Sequence, residues 1–317
     1  MKKRSFIGLL SLMTVFAVGC GSTETAQDAV VESTVEATET VSESETQVEE
    51  TQTTEETEST SVEETEVFDT TQVQVFAAAS LNDAMTEIAE LYAQVQPNVS
   101  IVINADSSGT LLTQVEEGYA CDIFFSAAVK QMKSLEEEGY VLDGTRVDLL
   151  KNQVVLITPK NSNSTVTGIE NLQDASSFAL ADGSVPVGKY TRTALMNAGI
   201  LESVEDASLI TTEEVSEALG GIEINECGNV SKVKEAIKEG NNEIGTVYYS
   251  DAYSVKDDVD IICYLDEELT GEIVYPVAQL KNEEADELET AAAADFENFL
   301  QTEEALEIFE KYMFIVK

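Results

Sequence analysis

The sequence contains no histidine and no tryptophan, and lysine and arginine together number only 17 in 317 residues. Without histidine, serine–histidine and cysteine–histidine nucleophile pairs are excluded, and the commonest general base and metal ligand is missing. The formal net charge is −44. A protein that binds nucleic acid needs a basic face to displace counterions, so this charge argues against nucleic-acid partners.

Cysteine is also scarce, with four residues that never stand at CxxC spacing: Cys20, Cys121, Cys227 and Cys263. A zinc site or a thioredoxin-like redox site is therefore not indicated. Cys20 belongs to an N-terminal pattern described next. The other three either form one disulfide and leave one free thiol, or are buried as small apolar side chains.

The N-terminus has the pattern of a secretory signal. Lys2, Lys3 and Arg4 precede the apolar run Phe6–Val18, which is shorter than the roughly 20 residues needed to cross a bilayer. The run ends in AVGC, and small residues directly before a cysteine resemble the bacterial lipobox. Residues 1–20 are thus predicted to be a lipoprotein signal peptide, with lipid on Cys20 and the protein on the outer face of the cytoplasmic membrane. An ordinary signal peptide is the alternative.

Residues 21–72 differ sharply in composition from the rest of the chain. They are rich in threonine, glutamate and serine, with 16 acidic residues and no basic one. Low hydrophobicity with charge of one sign cannot offset the entropy lost on folding. We predict a disordered acidic tether that holds the folded part away from the membrane, with a specific interaction tail as the alternative.

From Val73 onward, strand-like and helix-like segments alternate. Gln72–Ala78 is a β-rich run, and Leu81, Met85 and Ile88 then recur at helical spacing. Later strand-like runs include DIFFSA (Asp122–Ala127), Asn152–Pro159, Phe178–Ala181, Ile244–Tyr249, Ile261–Leu265 and Ile273–Leu280, and helix-like runs include Tyr190–Asn197 and Val230–Lys238. This alternation predicts an α/β fold with parallel sheets, in which ligands bind at the carboxyl ends of strands.

Small or capping residues stand at four predicted helix starts. Ser80 occupies an N-cap position, Ser108 lies near another cap, and Val187 and Val230 lie at the starts of two later helices. Helix N-termini have free N–H groups and a positive partial charge, so several of them facing one cleft would bind an anion without a basic side chain. Taken singly, each serine is most often only a cap, and no P-loop or GxGxxG pattern indicates a nucleotide.

Several motifs, in one consistent order, carry a family resemblance. They are VFAAASLNDAM (Val75–Met85), SSGTLLTQVEEG (Ser107–Gly118), DIFFSA, NQVVLITPK (Asn152–Lys160), VPVGKYTRTAL (Val185–Leu195), TVYYSDA (Thr246–Ala252), EIVYPVA (Glu272–Ala278) and FEKYMF (Phe309–Phe314). Together they resemble the periplasmic molybdate-binding proteins of ABC importers over nearly all of residues 73–317. The combination is far more specific than any one segment.

The resemblance implies a two-lobed α/β fold, the type II periplasmic-binding-protein or venus-flytrap fold, with mixed but mostly parallel sheets. Lobe 1 would comprise residues 73–152 plus 275–317, and lobe 2 residues 153–274. The stretch Ser208–Cys227 is longer than the usual connection in this family.

The resemblance also implies the ligand shell. Ser80 and Ser108 would donate hydroxyl and amide hydrogen bonds, Val187 and Val230 amide hydrogen bonds, and Tyr248 a hydroxyl hydrogen bond to molybdate or tungstate. Tyr249 would point to the other face of its strand. No cofactor and no metal cation are expected, since the oxyanion is itself the ligand.

The function implied is that of a non-enzymatic, monomeric solute-binding protein that delivers the oxyanion to a membrane permease and its ATPase. Residues 73–317 have 45 acidic against 14 basic residues, a net charge of −31, so binding must depend on short-range hydrogen bonds. Removing the hydroxyl of Ser80 or Ser108 is then expected to weaken binding at least tenfold. The alternatives are a binder of sulfate, phosphate or another small anion, a structural surface lipoprotein, and a hydrolase with paired carboxylates.

Overall fold

The computed structural model describes residues 68–317, and these residues belong to one compact unit. The predicted signal peptide, the lipid-anchor residue Cys20 and most of the predicted tether lie outside the described residues. The first strand begins at Thr71, two residues before the predicted start of lobe 1. The side-chain amide of Asn98 donates to the carbonyl of Phe68 (2.8 Å), so Phe68, just before this strand, also contacts the fold.

One sheet has six strands. In chain order they are β1 (Thr71–Ala78), β2 (Val99–Asp106), β3 (Ile123–Phe125), β4 (Val147–Lys151), β10 (Val274–Gln279) and β11 (Ile315–Val316). Their spatial order is β11-β4-β10-β3-β1-β2. The central strands have few polar side chains because helices cover both faces, and Val75, Phe125 and Val277 are fully buried.

The other sheet has five strands. They are β5 (Val154–Pro159), β6 (Ser177–Ala181), β7 (Glu223–Cys227), β8 (Ile244–Tyr248) and β9 (Val259–Tyr264), in the spatial order β7-β6-β8-β5-β9. The chain passes from the first sheet to the second between β4 and β5, and returns between β9 and β10. The two lobes, named here lobe 1 and lobe 2 after these sheets, are therefore joined by two crossings.

Ten helices cover the sheets within the described residues. They are α1 (Asn82–Val95), α2 (Ser108–Glu116), α3 (Val129–Glu137), α4 (Pro186–Asn197), α5 (Thr212–Ala218), α6 (Val230–Lys238), α7 (Tyr249–Ser254), α8 (Glu267–Thr270), α9 (Glu287–Phe299) and α10 (Glu303–Lys311). Several begin at a polar cap: the side chains of Ser107, Thr211 and Asn229 each accept a backbone N–H of the first turn. These caps fix where the helices begin.

Parallel pairing is less dominant than the sequence predicted. Four of the nine pairings between the described strands are parallel (β1–β2, β1–β3, β6–β7 and β6–β8), and five are antiparallel. The antiparallel pairs all involve β4, β5 or β10, the strands at the crossings, or the terminal strand β11. A continuous apolar run has the same pattern in either orientation, so the sequence alone does not distinguish them.

The long stretch Ser208–Cys227 is ordered. It contains the end of a 3₁₀ turn (Ala207–Leu209), helix α5 and strand β7. Strand β7 pairs in parallel with β6 along its whole length, from Ser177↔Glu223 to Ala181↔Cys227. The stretch therefore adds an edge strand to the second sheet and leads directly into α6.

Cys121, Cys227 and Cys263 are free thiols, which decides between the two alternatives left open by the sequence. Burial raises the pKa of the Cys227 thiol, as expected for a small apolar side chain inside the fold. Among residues 68–317, no helix is long and apolar enough to cross a membrane.

Candidate functional site

The parallel strands of both sheets end at one small cavity. The last residues of β1 and β2 are paired, Ala78 with Asp106, and so are those of β6 and β7, Ala181 with Cys227. The segments that follow these strands, together with the ends of β3 and β8, form the cavity wall. The carboxyl ends of parallel strands are the usual ligand position in α/β folds.

The cavity is small, with a volume of about 10 Å³, about the space of one water molecule and far below the roughly 300–1,000 Å³ of pockets for drug-sized ligands. All five residues predicted to bind the ligand line it, and no charged side chain does. The full lining is Ala78, Ala79, Ser80, Ser107, Ser108, Ala127, Val185, Pro186, Val187, Val230 and Tyr248. Lobe 1 supplies the first six and lobe 2 the other five.

Ser80 lies in the 3₁₀ turn Ala79–Leu81 that joins β1 to α1, so it is not the N-cap that the sequence predicted; Leu81 precedes α1. Short 3₁₀ turns are common at helix N-termini. The Ser80 Oγ lies 3.0 Å from the hydroxyl of Tyr275, and the Asn152 side-chain amide donates to that same hydroxyl at 3.4 Å. The Tyr275 hydroxyl accepts a hydrogen bond from Asn152, so its own proton is suited to donate to the Ser80 Oγ. The Ser80 hydroxyl proton is then free to donate to a ligand.

Ser108 is the first residue of α2 and is 1% exposed. Its Oγ accepts the N–H of Ala127 at 2.9 Å. This acceptor contact orients the hydroxyl so that its own proton is available to the cavity. Ser107 has the capping role instead: its Oγ accepts the N–H of Thr110 at 3.1 Å.

Val187 and Val230 contribute main-chain groups. Val187 is the second residue of α4, after Pro186, and Val230 is the first residue of α6. Neither N–H donates to any group within residues 68–317, as expected in the first turn of a helix. Both residues are buried, so water does not satisfy these donors easily. Each therefore presents a free N–H at the positive end of a helix dipole.

Tyr248, the last residue of β8, is 1% exposed, and its hydroxyl has no hydrogen-bond partner in the described part of the chain. Its ring packs edge-on against Tyr275, with centroids 5.6 Å apart. The Tyr275 hydroxyl is near enough to help raise the Tyr248 pKa, but the two hydroxyls do not form a hydrogen bond of normal geometry. Burial raises the pKa of Tyr248 well above its ordinary value, so the phenol stays protonated and is a donor. The sequence predicted Tyr249 on the opposite face of the same strand, but Tyr249 is instead the first residue of α7, and its ring packs against Tyr253 and Tyr264.

The wall is thus rich in donors and contains no charged acceptor. Three hydroxyls and the free N–H groups of two helices converge on one enclosed space. Such an arrangement stabilises an anion with several acceptor oxygens, since hydrogen bonds to a charged acceptor are the strong ones. It disfavours a cation, and no cluster of metal-ligating side chains occurs among residues 68–317.

The sequence did not indicate the residues that position the cavity wall through hydrogen bonds from outside the cavity. Tyr275 and Asn152 lie far along the chain from Ser80, and no local spacing signals their contact. Arg192 is fully buried in α4; its guanidinium donates to the carbonyls of Ala181 (2.8 Å) and Gly188 (3.0 Å), on either side of the α4 start. The sequence signal for this buried cation is that Arg192 lies three residues before the buried Leu195, and so on the same face of α4.

Asp251, three residues after Tyr248, is a second buried group without a full set of partners. Its Oδ2 has no partner in residues 68–317, and its Oδ1 lies 4.0 Å from the ammonium group of Lys234 on α6. The other charged group beside Lys234 is Asp83 on α1, also at 4.0 Å. Burial raises the pKa of Asp251 to about 7, Lys234 lowers it and Asp83 raises it.

Replacing Asp251 with asparagine should remove part of the stability loss that occurs as the pH rises from about 4 to 7. The carboxyl is protonated in the folded protein below pH 7 but ionised in the unfolded chain above its model value of 3.8. Wild-type stability therefore falls as pH rises from about 4 to 7, by at most about 1.4 kcal/mol per unit, and levels off above 7. The melting-temperature advantage of Asp251→Asn should grow over that same window.

The comparison is made between variants at each pH, because the pKa values of Glu289 and Glu297 are also raised to about 7 and wild type alone mixes these effects. Asp83→Asn removes the carboxylate that raises the Asp251 pKa from the other side of Lys234, so stability should still fall with rising pH in this variant, but over a narrower window. An advantage of Asp251→Asn that stayed constant from pH 4 to 8 would contradict the assignment.

The chain is similar to several known proteins. A family model described as bacterial extracellular solute-binding protein matches residues 73–315. YvgL of Bacillus subtilis, provisionally named an ABC transporter substrate-binding lipoprotein, is 32% identical over 241 residues, 76% of this chain and 85% of YvgL. The molybdate-binding protein ModA of Haemophilus influenzae is 32% identical over 252 residues, 78% of this chain and 91% of ModA.

A solved structure of a related substrate-binding domain is also similar to this chain. The substrate-binding domain of a provisionally assigned molybdenum ABC transporter from Clostridium difficile superposes with a TM-score of 0.55 at 33% identity, covering 77% of this chain and 98% of that domain. The predicted two-lobed periplasmic-binding-protein fold and the predicted family resemblance are confirmed by these matches.

Proposed function

Because this chain belongs to the bacterial extracellular solute-binding protein family, we propose that it captures molybdate or tungstate between its two lobes and delivers the oxyanion to an ABC importer. The observation that carries the proposal is the cavity itself. Three hydroxyls and two helix N-termini converge there, and the Tyr248 hydroxyl is buried with no partner in the described chain. A bound oxyanion would supply the missing acceptor.

Ser80, Ser108 and Tyr248 would donate hydroxyl hydrogen bonds, and Val187 and Val230 backbone N–H bonds. The N–H groups of Ser80 and Ser108 also have no partner within the described residues and would add two donors. A shell made only of donors favours a fully deprotonated oxyanion, because a protonated oxygen requires an acceptor. The size of the shell would then separate molybdate and tungstate from the smaller sulfate ion.

Neutral donors suit a domain whose own charge is −31. The net charge repels a dianion at long range, although physiological salt screens that repulsion beyond about 8 Å. Inside the closed cavity, each donor to a charged acceptor contributes about 1.5–3 kcal/mol. Several such donors offset the cost of association and would give micromolar or tighter affinity.

The lobes of the proposal comprise residues 73–152 plus 275–317 and residues 153–274. The strands of the first and second sheets fall within those ranges apart from the ends of β1 and β10, which supports the division. Closure of the lobes around the ligand would present a surface to the permease, and the ATPase would act on the other side of the membrane. No residue is assigned a catalytic role, and the binding unit is proposed to be a monomer.

Lipid on Cys20 would hold the protein at the outer face of the cytoplasmic membrane, with residues 21–72 as a tether. The provisional lipoprotein name of YvgL, a relative over most of the chain, is consistent with this anchoring. The pattern AVGC is the sequence feature on which the proposal depends.

Thermal melts of the purified protein with molybdate, tungstate, sulfate and phosphate test the ligand class. A ligand at 1,000 times its dissociation constant adds roughly 4 kcal/mol of apparent stability, which for a domain of this size raises the melting temperature by about 8–16 °C. We expect that shift with molybdate and tungstate and little shift with the other two. Equal shifts with sulfate or phosphate would indicate a general oxyanion binder, and no shift with any anion would contradict the proposal.

A further inference from the structure

One hydrogen bond joins the two lobes beside the cavity. Asp106, the last residue of β2, belongs to lobe 1, and Asn229, the residue before α6, belongs to lobe 2. The side-chain amide of Asn229 donates to Asp106 Oδ1 at 2.9 Å. The two residues are 123 positions apart in the chain, so the bond exists only when the lobes are close together.

Each partner also holds a helix start that lines the cavity. Asp106 Oδ1 accepts the N–H of Ser107 at 2.7 Å, immediately before Ser108. Asn229 Oδ1 accepts the N–H of Lys232 at 3.0 Å and so caps α6, whose first N–H, that of Val230, faces the cavity. The contact between the lobes is therefore made by the same two side chains that fix the N-termini of α2 and α6.

We propose that Asp106 and Asn229 form a closure latch that aligns the donors of the two lobes only when the protein is closed. They are positioning residues, since neither lines the cavity. Asparagine suits this task because one amide both donates across the gap and accepts from its own helix. Asp106 contributes a charged acceptor, which makes the bond stronger than one between neutral groups. This inference rests on the proposed function as an oxyanion binder.

The latch differs from the ion pairs that also span the lobes. The ammonium group of Lys234 on α6 lies 4.0 Å from Asp83 on α1, at the outer limit for an ion pair, and Asp83 is 50% exposed. The ammonium group of Lys130 on α3 lies 2.7 Å from Asp206 Oδ2, but these side chains are 48% and 32% exposed. Exposed pairs are screened by salt and contribute little. Asp106 and Asn229 are half-buried at the cavity edge, so opening the lobes must break a more protected bond. The latch should therefore control how slowly a bound ligand leaves.

The test uses three variants and the molybdate ion as probe. Asn229→Ser keeps an α6 cap, because serine is also a favoured N-cap residue, but is too short to reach Asp106. Asp106→Asn removes the charge and keeps an acceptor. The double variant Asp106→Asn with Asn229→Asp exchanges the two side chains, so that the amide of residue 106 can donate to the carboxylate of residue 229. The exchange leaves the net charge unchanged.

Dissociation of molybdate is followed by stopped-flow tyrosine fluorescence. Asn229→Ser should release molybdate about tenfold faster or more, as expected for losing a hydrogen bond to a charged group, with no more than a small change in the melting temperature of the ligand-free protein. The double variant should return the rate to within about threefold of wild type. A wild-type release rate in Asn229→Ser, or no recovery in the double variant, would overturn the latch.

A wild-type protein that does not respond to molybdate would contradict the proposed function instead. The latch is then judged on the ligand-free protein by small-angle X-ray scattering. Asn229→Ser should increase the radius of gyration, and the double variant should restore it. Equal radii in wild type and Asn229→Ser would again overturn the latch.

Discussion

Replacing Tyr248 with phenylalanine is expected to weaken molybdate binding by about tenfold to a hundredfold while leaving the ligand-free protein as stable as before, or more stable. The hydroxyl is buried and has no partner within residues 68–317. An unsatisfied buried polar group costs about 1–3 kcal/mol, so the folded protein loses nothing when it is removed. The bound oxyanion, by contrast, loses a donor worth about 1.5–3 kcal/mol.

Tyr249→Phe is the matched control, because the same chemical change is made one residue away, at the start of α7 and outside the cavity. Tyr249 packs against Tyr253 and Tyr264 and does not line the cavity. Calorimetry should show unchanged affinity for this variant. If Tyr248→Phe bound molybdate as tightly as wild type, or if it melted several degrees lower without ligand, the hydroxyl would not be a ligand donor.

Ser108→Ala is an informative second variant, because it should lower the stability of the ligand-free protein, whereas Tyr248→Phe should not. The Ser108 Oγ accepts the N–H of Ala127, so alanine leaves that buried amide without an acceptor. We therefore expect both the affinity and the ligand-free melting temperature to fall. A purely structural cavity would lower stability in both variants, whereas a ligand site predicts a fall only in Ser108→Ala.

The helix starts could be predicted from the sequence because capping is local. Helix α6 begins at Val230 and ends at Lys238, as the sequence predicted, since Asn229 caps one end and Gly240 follows the other. Ser80 was predicted to be a cap but lies inside a 3₁₀ turn. The backbone N–H of Ser80 is free in the 3₁₀ turn, as it would be at an N-cap, so Ser80 can donate to a ligand in either geometry. All five residues named from the resemblance line one cavity; their contact with a ligand stays a prediction.

The parts that sequence reasoning missed depend on contacts distant in the chain. Tyr275 reaches Ser80 across 195 positions and Asn229 reaches Asp106 across 123. Neither pair leaves a periodic pattern. Helix α3 and strand β4 were also missed, because α3 has charged residues at most surface positions and β4 has only Leu149 and Leu150 fully inside. Edge and surface elements bury too little to produce a strong hydrophobic pattern.

Gly109 offers the most direct test that the lobes must close. A Cβ placed on Gly109, in α2 of lobe 1, would lie 2.9 Å from the carbonyl oxygen of Ser184, in the loop before α4 of lobe 2. That oxygen is main chain and cannot rotate away as a flexible side chain would. Gly109→Ala should therefore hold the lobes slightly apart, and Gly109→Val should hold them further apart.

With the lobes held apart, the donors of lobe 2 (Val187, Val230 and Tyr248) cannot reach an oxyanion held by Ser80 and Ser108. The loss of two or more charge-assisted hydrogen bonds predicts that Gly109→Val binds molybdate at least about a hundredfold more weakly, with Gly109→Ala in between. The ligand-free protein should not be destabilised, because glycine inside a helix is itself unfavourable by roughly 0.5–1 kcal/mol relative to alanine. Calorimetry and thermal melts measure the two effects separately.

Gly228→Ala is the control for adding a methyl group beside the cavity. Its Cβ would meet only the flexible end of Lys232, at 3.6 Å, and its backbone has no positive φ. Affinity should stay within about threefold of wild type, since ordinary van der Waals contact requires no movement of the lobes. Tight binding by Gly109→Val would mean that molybdate is held by lobe 1 alone, and the five-residue shell shared between the lobes would be wrong.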